Sequence, residues 1–231
     1  MTSSVRKKTK ATNIFEKLHH DITNGIFFPG QRLQMDELKR RYEVGYSPIR
    51  EALSRLVISG LVRREEHCGF TVAPLSVDEL NDLYNIRIEI DSLAIDYAMQ
   101  HGDEHWEANV VAAWHRYKKY LTHQINKEMD PTQWETLHRE YRFSLIKACQ
   151  SPWLLKIREM LQEHAARYRV LCLSKKHLTK KILLELIKSN EALVLALIAR
   201  DRKQVKRHHK ESWNISIQII KETIEATHNS L

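Results

Sequence analysis

Apolar residues recur at helical spacing through most of this chain, and the exceptions fall in one early stretch. Ile14, Phe15, Leu18 and Ile22 predict a helix over roughly 12–24, stopped by Gly25. Phe28-Pro29-Gly30 reads as a turn. Leu38 and Tyr42 point one short helix inward and leave Lys39, Arg40 and Arg41 wet. Glu43 to Tyr46 makes the turn, with Gly45 free to take a positive φ. A second helix follows, with Ser47 as N-cap, Pro48 at the first helical position, and a stripe of Ile49, Ala52, Leu53, Leu56 and Val57. Gly60 ends it. Leu61-Val62-Arg63-Arg64 and Phe70-Thr71-Val72 then alternate as a hairpin with His67-Cys68-Gly69 at its tip.

From Ser76 onward the strand signal disappears. Ser76-Val77-Asp78-Glu79 has the form of a capping box, and amphipathic segments run at about 77–99, 104–126, 131–149, 152–173, 179–200 and 202–227. After residue 75 the only glycine is Gly102. The fold class is therefore mainly α. A winged helix-turn-helix over 12–75 is followed by an all-α bundle of six or so helices over 76–231. Ala73-Pro74-Leu75 is the joint, and residues 1–11 form a flexible basic N-terminus.

Charge supports the same division. The 231-residue chain carries a formal +8. Residues 1–75 contribute +5 and the twice longer remainder +3, so the helix-turn-helix is the more basic part per residue and suits a polyanion. Off the buried stripe of its second helix lie Ser47, Arg50, Ser54 and Arg55, a short cationic face fit for base edges and phosphates. Three cysteines (Cys68, Cys149, Cys172) stand far apart without a C-x-x-C, which points to a reducing cytoplasm. No apolar run reaches bilayer length, so no membrane partner is expected. The signatures of a P-loop, a dinucleotide fold, G-x-S-x-G and H-E-x-x-H are missing, and no enzyme is expected.

The residues also carry a resemblance. Ile22, Gly25, Pro29, Gly30 and Leu33 fit I-x-x-G-x-x-x-P-G-x-x-L, S-P-I-R-E-A-L-x-R-L occupies 47–56, and G-L-V follows at 60–62. This resembles the N-terminal domain of GntR-family bacterial transcription regulators. Arg87 and Glu89 (R-x-E), A-C-x-S-P-W-L-L at 148–155 and A-R-D at 199–201 resemble the FCD (FadR C-terminal domain) subgroup. The resemblance implies a homodimer on a palindromic double-stranded operator. It also implies a helical domain that dimerises and holds a small effector, usually a carboxylic acid. The resemblance puts Arg50 and Gly69 at DNA-contacting positions; with the exposed helix face, the cations of the preceding helix and the wing tip, the expected DNA-facing set is Lys39, Arg40, Tyr46, Ser47, Pro48, Arg50, Ser54, Arg55, His67 and Gly69. Tyr46 stands where the family has an arginine, and is left to donate to a phosphate or pack on a thymine methyl.

Many relatives hold a divalent metal in the helical domain. Alignment on the resemblance puts His138, Arg142, Asn190 and Ser212 at its ligand positions, a set unsuited to a transition metal, so no cofactor is expected; a rescue by His208 and His209 is the alternative. Arg87, Asn190 and His138 interrupt or flank apolar stripes, which suggests a polar cavity inside the bundle. The expected effector contacts are Arg87, His138, Tyr141, Arg142, Asn190 and Ser212, with Arg142 replacing the metal as the cation for a small anionic metabolite. The alternative pairs Arg87 with Glu89 or Asp91 and turns Arg142 to solvent. Two other readings remain: a DNA-bound dimer without effector control, and an all-α hydrolase or lyase using His138 as base. Arg167-Tyr168-Arg169 is expected to line the cavity or bridge the dimer, and Trp134, Trp153, Tyr168 and Trp213 to serve in packing.

Overall fold

Thr9 accepts the Thr12 N–H and starts α1 (Lys10–Thr23), whose Ile14, Leu18 and Ile22 are buried. The computed structural model describes residues 9–65, 69–125, 127, 129–174 and 178–228. Lys10 and Ala11 belong to α1 and not to the flexible N-terminus expected over 1–11; residues 1–8 lie outside the described residues. The chain divides into two compact units, Met1–Leu75 and Ser76–Leu231.

In the first unit, β1 (Arg32–Leu33), α2 (Met35–Tyr42), α3 (Tyr46–Ile58), β2 (Val62–Glu65) and β3 (Gly69–Val72) follow α1. Asp21 of α1 ties the helices together, accepting from Tyr42 Oη at 2.7 Å and Arg41 Nε at 3.2 Å. Leu38, Ile49, Leu53, Leu56, Leu61 and Val72 close one core with the α1 stripe. The sheet has three antiparallel strands in the order β1-β3-β2, not a bare hairpin. Arg32 pairs with Thr71 and Leu33 with Phe70, while Val62 pairs with Val72 and Glu65 with Gly69.

Two details of the helix-turn-helix depart from the sequence reading. The positive φ falls on Glu43 (54°), the C-cap of α2, whereas Gly45 has φ −75° and is the N-cap of α3. The helix thus begins at Tyr46, and Ser47 lies in its first turn instead of capping it. Pro48 is then third in the helix, still within the turn whose N–H groups have no intrahelical acceptor, so it breaks no bond.

The second unit holds α4 (Val77–His101), α5 (Glu104–His123), α6 (Pro131–Ser144), α7 (Pro152–Ser174), α8 (Lys180–Ile198) and α9 (Arg202–His228). Side-chain caps fix the starts. Ser76 accepts from Glu79 N, Asp103 from Trp106 N, Asp130 from Thr132 N ahead of Pro131, and Thr179 from Ile182 N. The capping box is only half made, because the Glu79 carboxylate accepts from Tyr168 Oη at 2.7 Å and from Arg167 at 3.3 Å. α4 packs on α7 and α9, α5 on α6 and α8, and α8 forms a hairpin with α9. α6 stops at Ser144, short of the expected 149. Trp106 Nε1 takes the Ser144 carbonyl at 2.8 Å, and the chain tightens into three-residue turns before Gln150 (φ 53°) and Pro152. Trp106, Trp114, Tyr117, Trp134, Tyr141, Leu193 and Leu197 build the core.

Candidate nucleic-acid interface and a buried arginine cluster

Ile49, Ala52, Leu53 and Leu56 of the α3 stripe are fully buried and Val57 partly so, which turns Ser47, Arg50 and Ser54 outward. An open cleft of about 1440 Å³ lies between α3 and the strands, lined by Arg32, Gln34, Arg50, Ser54, Arg64 and Gly69 among others. Three arginines therefore border one groove. Gly69 has φ +87° and open space where a Cβ would sit, a backbone only glycine adopts at low cost. Lys39 and Arg40 are exposed on α2. His67 lies outside the described residues. Arg32 and Arg64 were missed in the sequence; their place on β1 and β2 beside Arg50 is a consequence of the sheet.

Two expected contacts are otherwise engaged. Arg55 turns away from the exposed face: its guanidinium lies 4.2 Å from the Phe15 ring centroid and Nη1 donates to Thr12 Oγ1 at 3.3 Å. Being one residue from Leu56 on the helix, it follows the buried stripe onto α1 and is a packing residue. Tyr46 is exposed, yet its hydroxyl donates to Asp36 Oδ1 at 2.5 Å, and Lys39 Nζ lies 4.8 Å over its ring. The Tyr46 proton is thus already committed, which raises the phenol above its ordinary pKa.

The six expected effector contacts are all buried in the second unit, Arg87, Tyr141 and Ser212 completely. Arg142 does not reach solvent. Its Nη2 donates to Ser212 Oγ at 3.2 Å and its guanidinium lies 4.1 Å over Trp213. Arg87 lies over the same ring at 4.4 Å, donates to Gln162 Oε1, and has Asp91 one turn on at 3.7 Å. Glu89 is exposed. Asn190 Nδ2 donates to the Leu186 carbonyl of its own helix, leaving Oδ1 unsatisfied among the described residues. His138 stacks on Trp134 at 4.8 Å, and its Nδ1 has no partner among the described residues.

The structure adds members that were missed or left open. Arg158 of α7 pairs with Asp91 at 3.3 Å. Arg169 grips Glu135 of α6 through Nε (3.1 Å) and Nη2 (2.5 Å), and Gln162 Nε2 donates to Glu135 Oε1 at 3.1 Å. Of the 167–169 triplet, Arg169 thus joins the cluster, whereas Arg167 and Tyr168 hold the first turn of α4 through Glu79. Trp153 is exposed, unlike Trp134, Tyr168 and Trp213. No spacing rule links residues on α4, α6 and α7, so only the fold reveals the set.

Burial governs the titration of these groups. It pushes the Arg87 guanidinium down to about 9 despite Asp91. It pushes His209 down to about 3, with Asp91 opposing and Arg142 and Arg87 reinforcing, and His138 well below the usual imidazole range, aided by Arg169 and Arg142. Burial would raise the Asp91 carboxyl, but Arg158 and Arg87 hold it below its ordinary value.

The profile described as "Bacterial regulatory proteins, gntR family" matches residues 10–72, and that of the FCD domain matches 82–213. The chain belongs to the GntR family, FCD subgroup. It is 31% identical over 207 residues to the HTH-type transcriptional repressor GlaR of Escherichia coli, covering 90% of this chain and 94% of that one. It is 37% identical over 171 residues to the HTH-type transcriptional regulator BphR of Paraburkholderia xenovorans, covering 72% and 68%. The solved structure of E. coli McbR/YncC shares the fold, with TM-score 0.78 at 21% identity over 94% of this chain and all of that one. This GntR-family protein is accordingly a transcription regulator with a helix-turn-helix DNA-binding domain and an FCD domain. No described helix is long and apolar enough to cross a membrane.

The metal that many FCD domains hold does not suit the residues here. Arg142 offers only N–H donors and gives one to Ser212, the residue at another ligand position. Asn190 spends its amide nitrogen on its own helix. His209 lies nearby but is satisfied, accepting from Trp213 Nε1 at 2.9 Å and meeting Ser92 Oγ at 3.2 Å. A guanidinium repels a cation and attracts an anion, and the neutral hydroxyl and amide groups beside it are poor ligands for a transition metal.

Proposed function

We propose that this regulator binds a palindromic operator as a homodimer, reading base edges with α3, and that a small anionic effector in the helical domain sets its operator affinity. The observation that carries DNA reading is the placement of Arg50, Ser47 and Ser54 outward beside a cleft bordered by Arg32 and Arg64. A guanidinium on the recognition helix has the geometry for guanine O6 and N7, and the flanking cations suit phosphates. Lys39 and Arg40 add backbone contacts, and Gly69 lets the wing approach a sugar-phosphate chain. Tyr46, hydrogen-bonded to Asp36, presents its ring face to Lys39 and its edge to the duplex.

The effector part rests on the buried guanidiniums. Charges taken out of water need partners, and Arg87 and Arg142 keep N–H groups without a hydrogen-bond partner among the described residues. Selection of operators from random DNA, followed by binding titrations, tests the first part. Arg50→Ala is expected to cost about 1–3 kcal/mol on the selected site and little on random DNA, while Lys39→Ala and Arg40→Ala mainly flatten the dependence on salt. Unchanged discrimination in Arg50→Ala rejects that role. Operator affinity that never changes across a library of organic acids favours a constitutively bound dimer instead.

A further inference from the structure

The helical unit buries more positive charge than it neutralises. Arg87, Arg142, Arg158 and Arg169 are each at most 3% exposed. Among the described residues, the carboxylates paired with them are Asp91 and Glu135. Gln162, which bridges Arg87 and Glu135, is neutral. The cluster therefore carries two positive charges in excess, in a setting where an uncompensated ion is costly.

The unused donors belong to the same residues. Arg142 Nε and Nη1, Arg87 Nη1 and Arg158 Nη2 have no hydrogen-bond partner among the described residues. Arg87 and Arg142 both lie over the Trp213 ring, at 4.4 and 4.1 Å from its centroid. The electron-rich ring attracts both guanidiniums, but it does not cancel their charge. Tyr141 Oη, on the residue next to Arg142, is a further buried polar atom without a hydrogen-bond partner among the described residues. Arg158 also borders an open groove of about 340 Å³, lined by Thr136, Arg139 and Phe143 together with the carboxylates Glu140 and Glu159.

We infer that the ligand of this cluster is a small dianion, two carboxylates or one phosphomonoester, held by Arg87, Arg142 and Arg158 without a metal. This rests on the reading above that the helical domain takes an anion, and adds its charge. A monoanion leaves one guanidinium uncompensated, and a neutral ligand leaves two. A dianion brings the cluster to balance and supplies three or four acceptor oxygens for the open donors.

The test uses the full-length protein dialysed into HEPES and chloride. α,ω-Dicarboxylates from malonate to adipate are each compared with the monocarboxylate of equal length, and methyl phosphate is included, by thermal shift and calorimetry. At least one dianion should raise Tm in a dose-dependent way and bind about tenfold or more tighter than its monoanionic counterpart. A response to dicarboxylates but not methyl phosphate, or the reverse, assigns the source. Arg142→Gln and Gln162→Glu each remove one unit of excess charge and should shrink the preference to about threefold or less. Should Arg142→Gln fail to fold, Gln162→Glu, which adds the missing negative charge, still decides. Equal binding of mono- and dianions, or an undiminished preference in a folded variant, overturns the charge rule and leaves the anion site standing. Silence toward every anion overturns both.

Discussion

Position 55 shows how one side chain can look like a DNA contact and be a strut. Arg55 packs on Phe15 and Thr12, so Arg55→Ala should lower stability by about 1 kcal/mol and leave operator affinity within about twofold. Urea unfolding and a binding titration check the pair of outcomes, and a large affinity loss with intact stability would return Arg55 to the DNA face. His138 and His209 make a second prediction. Burial depresses both in the native state, so below about pH 6.5 the unfolded chain binds protons that the folded chain refuses. The stability they contribute is complete above that pH and falls as pH drops, by up to about 1.4 kcal/mol per pH unit for each. Unfolding free energies at pH 7.5 and 5.5 should show it, and His209→Gln should remove roughly half of the slope; a flat profile would contradict the burial of these rings.

Single elements were legible in proportion to how many residues declare them. Each long helix of 76–231 repeats its apolar stripe over several turns, so its existence follows from the pattern alone. β1 is two residues long, Arg32–Leu33, and two residues carry no period; only pairing with Thr71 and Phe70 makes them a strand. The end of α6 was misjudged because Trp106, on another helix, removes the Ser144 carbonyl. The α2–α3 turn was placed correctly but with its strain on the wrong residue. Glycine allows a positive φ without requiring it, and the chain takes that conformation at Glu43. A non-glycine left-handed residue costs about 1–2 kcal/mol, so Glu43→Gly should stabilise the first unit by about 0.5–1 kcal/mol, net of the entropy glycine adds to the unfolded chain. Calorimetry would register an upward shift of a few degrees; a lower Tm would mean that the Glu43 side chain contributes more than its backbone costs.

At the scale of the whole molecule, the proposed homodimer needs an apolar face, and the helical unit exposes one. On α4, Ile86, Leu93 and Tyr97 are exposed with Ile90 half-buried between them, at the i, i+4, i+7, i+11 spacing of one continuous ridge. On α7, which packs beside α4, Trp153, Ile157 and Met160 are exposed at similar spacing. Aligned apolar ridges of this length on neighbouring helices are the surface a second copy would cover. Two reading heads joined in this way gain a large effective concentration on a palindrome, commonly 10²–10⁴-fold over one head. Leu93→Glu places a charge in the middle of the ridge, where burial against a partner would leave it unpaired. Wild-type protein should therefore sediment at twice the 27.3 kDa chain mass and Leu93→Glu as one chain, with unchanged helical circular dichroism. Affinity for the full palindrome should fall at least about a hundredfold, while a single half-site, which needs only one α3, should bind as before. A Leu93→Glu protein that still sediments as a dimer places the interface elsewhere, and one that loses half-site binding as well has been damaged in its reading head rather than separated from its partner.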